Sequence, residues 1–147
     1  MRALLQRVGR AAVRVDGTEI ARIDEGLLIL LGVSAQDAPG VEAKLAERCA
    51  ELRIFEDERG RMNRSVREIG GAALVVPQFT LMADTTRGRR PSFDPAAAPE
   101  PAERAFTAFC EALAALRVPT GKGKFGASME VELVNQGPAT FLLETAS

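Results

Sequence analysis

The segment 77–81, with the sequence PQFTL, carries the polar side chains best placed for chemistry in this chain of 147 residues. It closes a run of apolar residues and precedes a long segment rich in Pro, Ala and Arg. Reactive groups often lie where a buried strand ends in a loop. Gln78 offers an amide and Thr80 a hydroxyl, so this strand end is a candidate site. A β-branched strand residue and a solvated amide would explain the same two residues without any chemistry.

The chain contains no histidine, tyrosine or tryptophan. A Ser-His-Asp triad, a Cys-His pair and a His-ligated zinc site are therefore impossible within it, and Thr80 has no obvious base. Cys49 and Cys110 are far apart and lack CxxC spacing, which predicts small buried hydrophobes. We expect no metal and no cofactor. General-base work must come from a carboxylate, from backbone groups or from the substrate.

Two flexible segments combine basic residues with an aromatic ring. They are TTRGRRPSF (85–93), with Arg87, Arg89 and Arg90, and GKGKFG (121–126), with Lys122, Lys124 and Phe125. Such segments suit contacts to phosphates and to an unstacked base, although solvated basic loops look the same. The formal net charge of −1 argues against broad, nonspecific nucleic-acid binding. A noncatalytic RNA-binding module would need only these two segments.

The NQGP segment (135–138) separates two runs that read as strands, 128–135 and 139–145. Gly-Pro is a poor choice for a tight hairpin, which prefers Asn-Gly or Asp-Gly. An X-Pro bond is cis in about 5–6% of cases in folded proteins, and glycine removes the clash that restricts the residue before proline. Gly137 and Pro138 can therefore present two carbonyl oxygens in a rigid arrangement. A plain strand-connecting turn is the alternative.

The periodicity of apolar residues predicts an α/β fold. Strands are predicted at 2–8, 11–15, 20–23, 26–33, 53–55 and 72–81 as well as in the C-terminal region, and amphipathic helices at 41–52 and 101–116. Pro77 implies an edge position or a bulge. We expect one compact domain (1–147) in which mixed sheet layers carry both helices on one side. With no signal peptide and no bilayer-spanning run, we expect a cytoplasmic protein without membrane contact.

The long ordered blocks "LVVPQFTL.AD...G.RPSF" and "G.FGA.M.V.LVN.GP.TF" resemble the D-aminoacyl-tRNA deacylases, and the resemblance extends over essentially the whole chain. It implies a cytoplasmic homodimer of that fold. It also implies hydrolysis of the ester between a D-amino acid and the terminal adenosine of tRNA, in translational proofreading, and removal of glycine wrongly attached to tRNA. The expected partners are thus D-aminoacyl-tRNA, glycyl-tRNA and a second subunit.

The strand-end motif of this family is usually Ser-Gln-Phe-Thr-Leu, so the resemblance implies that Gln78, Phe79 and Thr80 form the catalytic segment. Family accounts assign activation to the 2′-OH of the substrate's terminal ribose, which fits a chain without histidine. Pro77 departs from the usual serine and suggests that a hydroxyl there is dispensable. A related animal group has proline at this place and a trans Gly-Pro bond, although Phe79 is closer to the D-specific group.

The Gly-Pro pair of the family is a cis-proline motif that projects from one subunit into the active site of the other and excludes L-amino acids. The resemblance maps it onto Gly137 and Pro138, and it implies that Arg7 braces this loop. We also expect Phe125 and Met129 to contact the substrate. The isomer of the Gly137–Pro138 bond stays open at this point.

Overall fold

The computed structural model describes residues 1–145. Over this range the chain forms eight strands, two α-helices and one 3₁₀ turn: β1 (Arg2–Val15), β2 (Thr18–Ile23), β3 (Gly26–Gly32), α1 (Val41–Glu51), β4 (Phe55–Glu56), β5 (Met62–Arg64), β6 (Ala72–Pro77), the 3₁₀ turn (Phe79–Met82), α2 (Pro99–Ala115), β7 (Thr120–Lys122) and β8 (Glu130–Glu144). The predicted α/β class is confirmed. Predicted strand pieces at both ends of the chain merge into longer strands.

The main sheet is mixed. Its strand order is β2-β1-β3-β6-β7, with β8 paired to β1. β1 pairs antiparallel with β2, β3 and β8, whereas β3–β6 and β6–β7 are parallel. The sheet curls until its end strands, β2 and β7, approach each other, so it is nearly closed. The short strands β4 and β5 form a separate hairpin.

The β1–β2 hairpin turns at Asp16 and Gly17, a pair of residues typical of tight hairpins. Both residues have positive φ, 50° and 78°. This is the requirement of a type I′ turn, whose twist matches that of the flanking strands. The turn sends β2 back along the C-terminal half of β1, where Ala11 pairs with Ile23 and Val15 with Thr18.

The two helices pack against each other and share one hydrophobic core with the sheet. Leu45 and Cys49 come from α1 and Phe109 from α2, and all three are fully buried. Burial raises the pKa of the Cys49 thiol to about 12 and that of Cys110 to about 11, so both thiols stay protonated and behave as the predicted small hydrophobes. No helix within residues 1–145 is long and apolar enough to cross a bilayer.

β8 corrects the prediction of two strands joined by a turn. The chain does not reverse at NQGP: Asn135 pairs with Val8 of β1 and Thr140 with Gln6. Residues 136–139 therefore bulge out opposite Arg7 alone, and the Gly137–Pro138 bond within the bulge is cis. The alternative of a plain strand-connecting turn was wrong because β1 runs unbroken for 14 residues and is long enough to pair with both halves.

β6 ends at Pro77, earlier than the predicted boundary at residue 81. Pro77 pairs with Leu31 of β3 on one side, while β7 pairs with β6 only as far as Val75 on the other. The missing N–H of Pro77 thus leaves no ladder bond unmade. Of the two predicted alternatives, an edge position or a bulge, the pairing agrees with the first, and Pro77 lies where β6 leads into the 3₁₀ turn.

Candidate active site

An open cavity of about 650 Å³ lies at the carboxyl end of β6. The 3₁₀ turn, the segment 93–97, the start of α2 and the segment 125–129 surround it. The backbone N–H of Gln78 donates to the carbonyl of Leu31 at 2.8 Å, so β3 fixes the strand end that enters the cavity. The placement agrees with the rule that sites in α/β folds lie beyond the carboxyl ends of strands.

Aromatic rings form much of the cavity wall. Phe79 is 59% exposed, and its ring meets that of Phe93 edge-on with the centroids 5.0 Å apart. Phe106 and Phe125 form a second, tilted pair at 6.3 Å. Exposed aromatic faces are unusual on a water-soluble surface and are suited to stacking against a nucleobase.

Polar side chains are scarce in the cavity. Among its described lining residues only Gln78 and Ser128 carry a polar side chain, and no carboxylate, lysine or arginine lines it. The amide Nε2 of Gln78 donates to Thr80 Oγ1 at 2.5 Å, which holds the amide in place. The cavity can therefore bind and orient a substrate, but its own side chains offer no group that titrates near neutral pH.

The first two N–H groups of the 3₁₀ turn, those of Phe79 and Thr80, have no acceptor among the described residues. The turn instead closes with later bonds, from Leu81 N–H to the Gln78 carbonyl at 3.2 Å and from Ala83 N–H to the Thr80 carbonyl at 3.1 Å. Unpaired donors at the start of a helical turn are partly positive and attract an oxyanion. These two N–H groups are the candidate donors to a negatively charged oxygen.

The bulge at Gly137 and Pro138 lies apart from this cavity, whose lining includes neither residue. Arg7 is only 8% exposed, and it donates from Nε to the Gln136 carbonyl at 2.9 Å and from Nη1 to the Ile54 carbonyl at 2.7 Å. Asn135 Nδ2 closes the base of the bulge by donating to the carbonyls of Arg7 and Ala139. The expected contact between Arg7 and the Gly-Pro loop is present.

The structure thus divides the predicted site residues into groups. Gln78, Phe79, Phe125 and Met129 line the cavity. Thr80 lies beside it and Arg7, Gly137 and Pro138 lie elsewhere. The basic residues are separate again: Arg87, Arg89 and Arg90 are exposed on a loop closed by the Asp84–Ser92 pairing, and Lys122 and Lys124 line a neighbouring groove.

Among the cavity residues that were absent from the predicted site, Phe93, Phe106 and Ser128 carry an aromatic or polar side chain. Phe93 belongs to the RPSF block and its aromatic type was a usable signal. Phe106 reads as an ordinary core residue of an amphipathic helix, and Ser128 as part of a loop, so neither carries a sequence signal of its own. Within residues 1–145 no group of three or more acidic or cysteine side chains is arranged to hold a metal ion.

Comparison with known proteins finds a matching family model and similar sequences. The family model described as D-Tyr-tRNA(Tyr) deacylase matches residues 4–144. A protein of Roseiflexus castenholzii named D-aminoacyl-tRNA deacylase is 56% identical over 146 residues, which cover 99% of this chain and 93% of that protein.

Solved structures agree with the sequence comparison. One titled c-Myc DNA Unwinding Element Binding Protein is 38% identical with a TM-score of 0.94, and the match covers 100% of both chains. Another, titled as a probable eukaryotic D-amino acid tRNA deacylase, has a TM-score of 0.83 at 17% identity and covers 97% of each chain. At that identity the second likeness concerns the fold alone.

Proposed function

Since this chain belongs to the D-Tyr-tRNA(Tyr) deacylase family and is a hydrolase of the D-aminoacyl-tRNA ester, we propose that the cavity at the end of β6 receives the aminoacylated terminal adenosine. In this proposal the ribose 2′-OH of the substrate assists the attack of water on the ester carbonyl. The products are free tRNA and a free amino acid. The protein contributes positioning and electrostatic stabilisation rather than a side-chain nucleophile.

The observation that carries this proposal is the absence of a titratable side chain from the described lining of the cavity. Both thiols are buried, and their raised pKa values keep them protonated. An ester bond is easier to hydrolyse than an amide, so a modest acceleration suffices. A hydroxyl supplied by the substrate, next to the reacting carbon, replaces the base that the described lining of the cavity lacks.

The N–H groups of Phe79 and Thr80 are proposed to bind the ester carbonyl oxygen as negative charge develops on it. A preorganised donor of this kind is typically worth about 10²–10³ in rate. The Gln78 amide, held by Thr80 Oγ1, would orient the substrate beside these donors. Thr80 then has a positioning role, which predicts that its hydroxyl contributes less than the backbone does.

Chiral selection is proposed to reside in Gly137 and Pro138, supplied by one subunit of a homodimer to the cavity of the other. Their exposure, their separation from the cavity of their own chain and the bracing by Arg7 support this arrangement. Rejection of an L-amino acid requires a clash or an unpaired polar group, because attraction alone discriminates poorly. Glycine has no side chain to clash, so the same filter should admit glycyl-tRNA.

β8 is also the proposed contact between subunits. It is an edge strand, and it exposes Val134 (43%) and Leu142 (49%) on a strand whose outer side has no partner among residues 1–145. Long exposed edges with apolar side chains are usually covered in the assembled protein. Action on aminoacyl-tRNA would place the homodimer in the cytoplasm, where it would contribute to translational quality control.

The test is to assay the purified protein with D-aminoacyl-, L-aminoacyl- and glycyl-tRNA. We expect rapid hydrolysis of the D and glycyl substrates and slow hydrolysis of the L substrate. Equal rates on the D and L forms would rule out the chiral filter. The expected cross-subunit geometry is checked separately by measuring the molecular mass in solution and by mixing Gly137 variants with cavity variants, which should restore the preference for the D substrate in mixed dimers.

The role of the ribose is tested with tRNA that ends in 2′-deoxyadenosine. We expect this substrate to resist hydrolysis, whereas Thr80→Ala retains substantial activity on normal substrate. Loss of all turnover in a folded Thr80→Ala protein, together with cleavage of the 2′-deoxy substrate, would instead identify Thr80 as the nucleophile.

A further inference from the structure

A second concavity of about 640 Å³, here called the seam groove, lies where the curled sheet fails to close. Its walls are β2 (residues 20–22) on one side, residues 121–125 on the other, and α2 above. The two end strands come close: a Cβ added to Gly121 would lie 3.5 Å from the Cβ of Ala21. They are nevertheless not paired within the described residues, so an elongated opening is left between two strand edges.

The seam groove carries a local excess of positive charge. Arg22, Lys122 and Lys124 line it, and Glu103 is the single acid among its described lining residues. Arg22 is 3.4 Å from Glu19, but neither lysine lies within ion-pair distance of an acid in the described part of the chain. Because the whole chain has a formal net charge of −1, this excess is a property of the groove and not of the protein as a whole.

The seam groove adjoins the candidate active site. Phe106 and Phe125 line both concavities, so the two share one aromatic wall. A nucleotide strand that extends from the cavity past these two rings would therefore reach the groove. Proteins bind single-stranded nucleic acid by neutralising its phosphates with basic side chains and by stacking its bases on aromatic rings. Two lysines beside an aromatic ring supply both.

We propose that the seam groove binds the single-stranded nucleotides that immediately precede the terminal adenosine of the substrate tRNA. Lys122 and Lys124 contact their phosphates, and Phe125 supplies a stacking surface for one base. This inference rests on the proposed occupancy of the cavity by the terminal aminoacyl-adenosine. Charge selects this occupant over an extended peptide, which would pair with the free edge of β7 and would need no lysines.

The experiment compares two substrates in the full-length protein, D-aminoacyl-tRNA and the single nucleoside 3′-D-aminoacyl-adenosine. The variant is Lys122→Ala/Lys124→Ala, and the matched control is Lys44→Ala, an exposed lysine of α1 that lines neither concavity. We expect the double variant to lose kcat/KM on tRNA through a raised KM and to keep wild-type kcat/KM on the nucleoside. The control should match wild type on both.

Salt dependence gives an independent measure. Each phosphate contact to a single strand contributes about −0.7 to the slope of log affinity against log salt, so two lost contacts should flatten the slope by about 1.4. Raising salt from about 50 to about 200 mM should then weaken wild-type tRNA binding about sevenfold more than that of the double variant. A synthetic peptide that competes with tRNA and binds the variant as well as wild type would favour the peptide occupant and overturn the proposal.

These measurements distinguish a failure of the proposed seam groove from a failure of the proposed occupancy of the cavity. Equal loss on both substrates, or no loss on tRNA, would overturn the seam groove while leaving the cavity intact. Failure of wild-type protein to cleave the aminoacyl-nucleoside even at saturating concentration, with normal cleavage of tRNA, would instead overturn the proposed occupancy of the cavity, on which the groove depends.

Discussion

Replacement of Arg7 by Met tests how the Gly137–Pro138 bulge is held. Arg7 lies on β1 directly opposite the bulge, and its guanidinium joins the Gln136 carbonyl to that of Ile54. Met replaces the unbranched aliphatic stem of Arg but has no guanidinium, so Arg7→Met removes both hydrogen bonds and keeps an apolar, flexible side chain at this position. The substitution should therefore release the bulge without dismantling the core.

The expected loss of stability in Arg7→Met depends on the two carbonyl groups that accept the hydrogen bonds. Hydrogen bonds to charged groups contribute about 1.5–3 kcal/mol each. The Gln136 carbonyl belongs to an exposed residue and can be hydrated after the change, whereas Ile54 is 4% exposed and its carbonyl stays dry. Removing the buried charge also removes its desolvation penalty, which offsets part of the loss. We expect the free energy of unfolding to fall by about 2–4 kcal/mol.

Urea unfolding monitored by circular dichroism measures this loss, and the ratio of D- to L-aminoacyl-tRNA hydrolysis measures its functional consequence. We expect the ratio to fall mainly because the L substrate is cleaved faster. The control is Arg10→Met on the same strand, because Arg10 makes an exposed ion pair with Glu132 at 2.7 Å. Exposed pairs contribute little, so this variant should keep nearly wild-type stability and selectivity.

Two results would refute the reasoning. If Arg7→Met is no less stable than Arg10→Met, the two hydrogen bonds do not hold the bulge. If Arg7→Met is destabilised as expected but keeps its full preference for the D substrate in folded protein, the bulge is held by Arg7 but does not select chirality.

Three further outcomes are expected. Gly137→Ala places a Cβ 2.5 Å from Asn135 Oδ1 and should displace that side chain, which then loses its two hydrogen bonds. Urea unfolding should show a free energy of unfolding that is lower by about 1–3 kcal/mol. Because the clash requires Asn135, Asn135→Ala/Gly137→Ala should be no less stable than Asn135→Ala. The pKa of Glu132 is lowered first by the hydrogen bond from Arg10 and then by Arg14, so the stabilisation by its carboxylate is present above the ordinary pKa and is lost as pH falls through the lowered value. Because the group is exposed, Glu132→Gln should lower the free energy of unfolding only slightly at neutral pH, and this difference should vanish in acid. Iodoacetamide should label the two buried thiols only when the protein unfolds, because burial raises their pKa; rapid labelling of native protein would contradict this.

The sequence predicted best those elements whose determinants are local. Asp16 and Gly17 specify a type I′ turn through their own backbone conformations, and α1 follows from apolar residues at helical spacing. α2 begins at Pro99, two residues before the predicted start, because proline is well tolerated in the first turn of a helix. In each case the information lies within a few residues of the element.

Elements that depend on distant partners were missed or misassigned. The three-residue strand β7 has no apolar periodicity, and only its parallel pairing with β6 makes it a strand. NQGP reads as a turn because nothing nearby shows that β1 continues past Gly9 and pairs with both of its flanks. The same limit applied to the site. The strand-end position of Gln78 and Phe79 is determined by neighbouring residues, whereas the contribution of Phe106 to the cavity wall depends on how α2 packs.

The separation of the cavity from the Gly-Pro bulge has a consequence for kinetics. Changes at Gln78 or Thr80 should slow the hydrolysis of every accepted substrate by a similar factor, because in the proposed mechanism these residues act on the ester that D-aminoacyl- and glycyl-tRNA share. Changes at Gly137 should alter the ratio between D and L substrates and leave glycyl-tRNA almost unaffected, because glycine presents no side chain to the filter. The rate of hydrolysis and the selectivity for the D substrate would then depend on separate groups of residues. A Gly137 variant that slows glycyl-tRNA hydrolysis as much as it changes the D-to-L ratio would show that both properties depend on the same residues.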